Sequence, residues 1–228
     1  MSATASKNKA GAVSARKQWW QHYLETLRYV FHVLFHPFDG FWDLVHEKRG
    51  SMAAAHTFVA LFLITRVVKL MFTNFQFISV PLQYINIFEQ CASLLVPFLI
   101  LCVANWGMTT LFDGKGRFKD IYMAMAYALT PYVLIQLPLV LLSNIITYEE
   151  ASFYLVLMNI SVIWALFLVF VGLMQVHDYS PGKTLIFLFV TVLGALVIIF
   201  LILVFFSLLS DALGYFVSMY KEISFRLF

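Results

Sequence analysis

What this chain has least of is charge. Asp, Glu, Lys and Arg make up 12% of its 228 residues, about half the ~25% of a soluble domain. Four stretches contain no Asp, Glu, Lys, Arg or His at all: Gln90–Phe112, Ile121–Tyr148, Ser152–Val176 and Thr184–Ser210. Each exceeds the ~20 apolar residues that a helix needs to cross a bilayer. With 62% of the residues hydrophobic, too few polar side chains remain to cover a water-soluble globule. Composition therefore excludes a soluble enzyme, a nucleic-acid-binding protein and a disordered chain.

Other absences narrow the chemistry. The two cysteines, Cys91 and Cys102, share one predicted helix about 16 Å apart, beyond disulfide reach, so they read as packing residues. The patterns His-Glu-x-x-His, Gly-x-Ser-x-Gly and Cys-x-x-Cys do not occur. Ser180-Pro181-Gly182-Lys183-Thr184 lacks the first glycine of a phosphate loop, since His177 stands in its place. His32 and His36 could share a helical face, but no convincing third zinc ligand accompanies them. Neither a cofactor nor a metal is expected. The lack of ionisable groups in the last four spans argues against a proton relay, a proton-coupled transporter or an intramembrane metalloprotease.

A fifth, weaker stretch, Met52–Phe72, carries His56, Arg66 and Lys69 and is taken as the first span. It begins about fifty residues in, too late for a cleavable signal peptide, so it is expected to remain as an anchor. The connection from Thr73 to Phe88 carries Pro81 and no charge, as expected of a segment in the interface or dipping into the bilayer. Pro131 and Pro138 predict a bend in the third span, and Gly107, Gly172 and Gly194 are expected to let helices approach closely.

Before the first span lie Lys7, Lys9, Arg16, Lys17, Arg28, Lys48 and Arg49. With Lys115, Arg117, Lys119 and Lys183 they put eleven cations on one side, against Lys221 and Arg226 on the other. That asymmetry predicts a cytoplasmic N-terminus, five spans and an external C-terminus in the plasma membrane. The expected organisation is a disordered stretch over 1–15, amphipathic helices at the cytoplasmic interface over 16–50, the five spans over 51–210, and an interfacial helix over 211–228. Trp20, Leu24, Leu27, Phe31 and Leu34 form the apolar stripe of the first amphipathic helix. His36-Pro37 ends it, and a short helix over Phe38–Arg49 with Asp39 as N-cap follows.

Three stretches together resemble the bacterial branch of the Yip1 domain family. HPFDGFWDLVHEKRGS (His36–Ser51) is similar to the His-Pro, Phe-Trp and Lys-Arg-Gly segment of those members. DGKGRFKD (Asp113–Asp120) followed by AYALTP (Ala126–Pro131) is similar to the family's Gly-rich loop and Tyr-Ala-Leu-x-Pro helix. WALFLVFVGLMQVHDYSPGKTLIFL (Trp164–Leu188) resembles its passage between the last two spans. The resemblance implies an all-α, five-span integral membrane domain with a cytoplasmic N-terminal region. Eukaryotic relatives associate with Rab-type GTPases and help shape trafficking membranes. The acidic Asp-Leu-Tyr-Gly-Pro motif of those relatives is missing here, so GTPase binding does not carry over.

The expected function is non-enzymatic: membrane organisation, or a scaffold or accessory subunit of a membrane complex. Arg16, Lys17, Arg28, Lys48, Arg49, Lys115, Arg117 and Lys119 are the residues expected to meet anionic lipid headgroups or a partner. A membrane-protein partner or a second copy of the chain is expected, and nucleic acid is not. The alternative is a small-solute transporter or channel component with a polar crevice lined by Asn105, Gln136 and Asn159. Arg66 and Glu89 are a possible ion pair on the outer side, set against snorkelling of Arg66 and Lys69 to the interface.

Overall fold

The computed structural model describes residues 2–77, 86–112 and 114–227, excepting the side chains of 2–18, 75, 148, 226 and 227. Among the described residues the architecture is wholly helical, and five segments are long and apolar enough to span a membrane. The part of the Thr73–Phe88 connection expected to touch or enter the bilayer, residues 78–85, lies outside the described residues.

Helix α1 runs from Ser2 to Phe35. It thus includes residues 2–15 of the stretch whose composition predicts disorder; alanines at 3, 5, 10, 12 and 15 supply the highest helix propensity. His36-Pro37 ends α1 as expected, and α2 starts at Pro37 and closes at His46. Its N-cap is His36 rather than Asp39, which lies in the first turn, and no side chain caps it. Pro37 at the first helical positions needs no donor, so the turn forms without one. Lys48 adopts a left-handed conformation (φ 55°), which ends the helix before Lys48 and Arg49. Arg49 folds back on Glu47 (2.7 Å) and Asp43 (3.7 Å).

Helix α3 (Met52–Phe72) opens on Ser51, whose hydroxyl accepts from the Ala54 amide. Helix α4 (Ile87–Leu111) opens in the same manner on Asn86, which accepts from Phe88. The third span is not one bent helix but two, α5 (Phe118–Ala128) and α6 (Thr130–Leu142). The break falls at Leu129 because Pro131 brings no amide proton and clashes with the preceding turn. Thr130 caps the break by donating to the Tyr127 carbonyl (2.6 Å). The span also ends at Leu142, short of the expected Tyr148. Helix α7 (Ala151–His177) follows a single turn of 3₁₀ helix over Tyr148–Glu150.

Helix α8 runs without interruption from Pro181 to Leu227, 47 residues. The expected separate interfacial helix over 211–228 is therefore joined to the fifth span. No proline follows Pro181, and the Ser210-Asp211-Ala212 step is compatible with helix. At 1.5 Å per residue α8 is about 70 Å long, more than twice the hydrocarbon thickness. Only its first part packs on α4, and from Ile199 to Ile223 every residue is exposed.

The centre of the bundle is α5, in which every residue from Asp120 to Ala128 is buried. Ala124, Ala126 and Ala128 let neighbouring helices approach closely, which drives association where lipid tails are as apolar as the side chains. Tyr127 stands edge-on to Phe58 of α3 (4.8 Å) and donates to the Thr26 carbonyl of α1 (3.1 Å). Above α5 the α1–α2 layer is fastened by the Tyr23–Thr57 (2.7 Å) and Thr26–Ser51 (3.1 Å) hydroxyl pairs. Val33, Phe41 and Leu44 of this layer are fully buried, which contributes roughly 2 kcal/mol each where water is the alternative. Of the three span glycines, Gly172 faces Phe41 and Gly194 faces Met108, but Gly107 has nothing within 4 Å of where a Cβ would stand. Close approach therefore needs only two of them.

The α2 layer, the end of α4, the start of α5 and the α7–α8 corner share one end of the bundle, here the proximal end. The end of α3, the start of α4, the end of α6 and the start of α7 form the distal end. There the Asn74 amide donates to Ser143 (3.2 Å) and the Asn144 side chain donates to the Phe72 carbonyl (2.9 Å).

Candidate functional site

At the proximal end two loops far apart in sequence close on one imidazole. His177, the last residue of α7, is buried. Its Nδ1 accepts the Gly116 amide (3.2 Å) and its Nε2 meets Asn105 Oδ1 (3.0 Å). A backbone amide can only donate, so the ring proton lies on Nε2 and is given to Asn105. The Asn105 amide group donates in turn to Thr191 (3.0 Å), and Thr191 donates to the Phe187 carbonyl (2.7 Å). The chain of bonds thus joins α7, the 114–117 loop, α4 and α8 with a neutral histidine.

The glycines of that loop are set by this contact. A Cβ on Gly116 would lie 2.5 Å from Val176 Cγ1 and 2.6 Å from His177 Cε1. A Cβ on Gly114 would lie 2.7 Å from the Thr109 carbonyl, which accepts the Gly114 amide at that same distance and closes α4. Next to the imidazole, Asp178 turns left-handed (φ 53°) and caps α7. Its carboxylate meets Lys115 Nζ (3.2 Å) on one side and His46 Nε2 (3.5 Å) of α2 on the other. Lys183 lies over the Tyr179 ring (4.2 Å). In the sequence His177 and Asp178 fall between the uncharged runs Ser152–Val176 and Thr184–Ser210, where a turn is expected. The available signal was the pair of resembling stretches around them, which the fold now brings into contact.

The proposed headgroup-binding residues differ from the expected open patch. Arg49, Lys115 and Arg117 are exposed but paired, with Asp43 and Glu47, with Asp178, and with Asp120 (2.9 Å) respectively. Arg28, Lys48 and Lys119 are exposed and make no ion pair among the described residues. The side chains of Arg16 and Lys17 lie outside the described residues. The acidic groups that pair with the cations sit one turn or one loop away, so the bundle's own proximal end is close to neutral. On α1 the buried face is Thr26, Val30 and Val33, while Trp19, Trp20, Leu24, Phe31 and Phe35 stay exposed.

Tyr29 ties α1 to α2 by donating to Asp43 (3.0 Å). Burial, and then the Asp43 hydrogen bond, push its phenol above the usual tyrosine range. The folded chain therefore keeps the phenol neutral where the unfolded chain ionises it, near pH 10. Its contribution is present below about pH 10 and is lost as pH rises past it. Tyr29→Phe should make the alkaline fall in thermal stability shallower; an unchanged slope would remove Tyr29 from its cause.

The distal end holds the other polar side chains. Arg66 Nη2 donates to Gln90 Oε1 (2.8 Å), and Glu89 is exposed with no part in the contact. The Arg66–Glu89 pair weighed against snorkelling is thus replaced by a contact to the neighbouring residue, because one residue along α4 turns the side chain by about 100°. Lys69 does not snorkel outward. Its Nζ donates to Gln136 Oε1 (2.9 Å) and to Met158 Sδ (3.3 Å). Gln136 is buried and donates to Ser161 (2.8 Å). Asn159 is exposed on the outer side of α7, and Asn105 belongs to the His177 cluster. The three amides expected to line one crevice therefore lie in three places.

A family model described as the Yip1 domain matches residues 31–220. No curated protein and no solved structure matches.

Proposed function

This chain belongs to the Yip1 domain family, and from that premise we propose that it is a non-enzymatic membrane protein that organises the bilayer or acts as a scaffold or accessory subunit of a membrane complex. The proximal end faces the cytoplasm at the plasma membrane and the C-terminus lies outside, in keeping with the Lys and Arg asymmetry.

The observation that carries this reading is the α1–α2 layer. It is fixed to the bundle by Tyr127, Tyr23 and Thr26, yet it turns Trp19, Trp20, Phe38 and Trp42 outward. Indole and phenyl rings on such a surface suit the headgroup boundary. Along α1, Lys7, Lys9, Arg16, Lys17 and Arg28 stand against one acid, Glu25, and that excess favours anionic headgroups. The polar side chains of the His177 cluster are engaged with each other. Both nitrogens of His177 are used, and Asp120 and Asp178 are paired, so the cluster serves assembly rather than reaction.

The test is photocrosslinking in native membranes with benzoylphenylalanine in place of Trp20 or Trp42, together with solute flux in proteoliposomes. The scaffold reading expects one discrete membrane-protein adduct, or a self-adduct, and no flux. Solute flux that Gln136→Leu abolishes would replace it with a transporter.

A further inference from the structure

Arg66 and Lys69 stand three residues apart on α3, six and three residues from its end at Phe72. That places them about 9 and 5 Å inside the distal end, at a depth within reach of lipid phosphates. Both are held by neutral atoms only: Gln90 for Arg66, Gln136 and Met158 for Lys69. Among the described residues neither has a carboxylate partner. Glu89, Glu149 and Glu150, at the same end, are exposed, and Glu150 is turned to the Thr147 amide.

The donor count is left open on both cations. An ammonium has three N–H donors and a guanidinium five. Lys69 uses two of its three. Arg66 Nε is buried with no acceptor. Gln136 meets Lys69 with its carbonyl oxygen and donates to Ser161 with its amide group. An amide oxygen offers a dipole against a full charge. Two such charges in a membrane segment are costly unless an anion joins them.

Along the same α3–α6 seam, lined by the residues next to Lys69 and Gln136 in sequence, runs an open groove of about 760 Å³ between Val68 and Phe72 on one side and Leu137, Pro138, Leu141 and Asn144 on the other. Apart from Asn144 its walls are apolar and fit a hydrocarbon chain. We infer that Arg66 and Lys69 bind the phosphate of an anionic phospholipid whose acyl chain lies in this groove. The guanidinium fork suits phosphate oxygens and the ammonium adds a point charge. The apolar groove favours a lipid over free phosphate, and the uncompensated double charge favours an anionic lipid over a zwitterionic one.

The test uses the full chain, purified and washed in detergent. Native mass spectrometry should find phospholipid retained by the wild type. Added dioleoylphosphatidylglycerol should raise its Tm, while dioleoylphosphatidylcholine and inorganic phosphate should not. The Arg66→Gln/Lys69→Gln double variant should retain at least about tenfold less lipid and lose the shift. Lys69→Arg and, on the exposed part of α8, Lys221→Gln should keep both. Equal retention in the double variant overturns the assignment, as does an equal Tm shift from inorganic phosphate or from the zwitterionic lipid. Should the double variant not fold, the wild-type comparison decides alone: no retained phospholipid and no preference for the anionic lipid overturns it.

Discussion

Asn105→Leu is expected to lower the stability of the detergent-solubilised protein by about 3 kcal/mol, because it strands the buried Nε2–H of His177 and removes the donor to Thr191. The size follows from the asymmetry of hydrogen bonding: a made bond contributes little net, while an unmade one keeps its full desolvation cost. For a chain of this length that corresponds to a fall in Tm of roughly 6–12 °C. Asn159→Leu, on the exposed side of α7, should leave Tm unchanged. The partner variant His177→Leu gives the sharper comparison. Since both side chains serve one contact, the double variant should cost less than the sum of the two single variants. Additive costs would mean that the Asn105–His177 bond does not form in the membrane.

Gly40→Ala is the second large effect. The new Cβ would stand 2.7 Å from the Val33 Cα and 3.2 Å from its amide nitrogen. These are backbone atoms, so no rotamer change relieves the clash and α1 must lift from α2. Overpacking of this kind costs about 3 kcal/mol. Two other glycines calibrate it. At Gly172 the nearest atom is Phe41 Cε1 at 3.1 Å, part of a ring that can give by a few tenths of an ångström, so Gly172→Ala should cost less. At Gly107 nothing lies within 4 Å, and Gly107→Ala should be neutral. Thermal unfolding tests the order, and limited trypsin digestion at Arg28 tests the mechanism. Gly40→Ala should speed that cleavage and the other two should not. The same Tm for all three variants would mean that the α1–α2 crossing is looser than described.

The spans were legible in the sequence because hydrocarbon tolerates so few alternatives. A run such as Gln90–Phe112 cannot sit in water, and the observed Ile87–Leu111 differs only at its ends. The turn at His36-Pro37 was legible for a local reason, the geometry of proline. What escaped depends on rotation about helix axes and on contacts between distant segments. Periodicity does not tell Glu89 from Gln90 as the partner of Arg66, since both begin the same helix. It does not say that Lys69 turns inward, because an isolated helix with a cation near its end would send it to the interface. The break at Leu129 was expected only as a bend, since a proline can kink a helix without ending it. His177 was hidden by its neighbours: Asp178, Ser180, Pro181 and Gly182 make a strong turn signal, and the turn starts just after it. Of the cations in the basic patch, Arg49 and Arg117 pair with acids close by in sequence, while Lys115 meets Asp178 of a distant segment, a contact that periodicity does not reveal.

Five spans carry the chain back and forth between the proximal and the distal end. Single cysteines at Lys48, Lys115, Lys183, Glu149 and Lys221, in a background with Cys91 and Cys102 replaced, can be probed in sealed vesicles with a membrane-impermeant maleimide. Lys48, Lys115 and Lys183 should react from one side, and Glu149 and Lys221 from the other. Reaction of Glu149 and Lys115 from the same side would contradict the account.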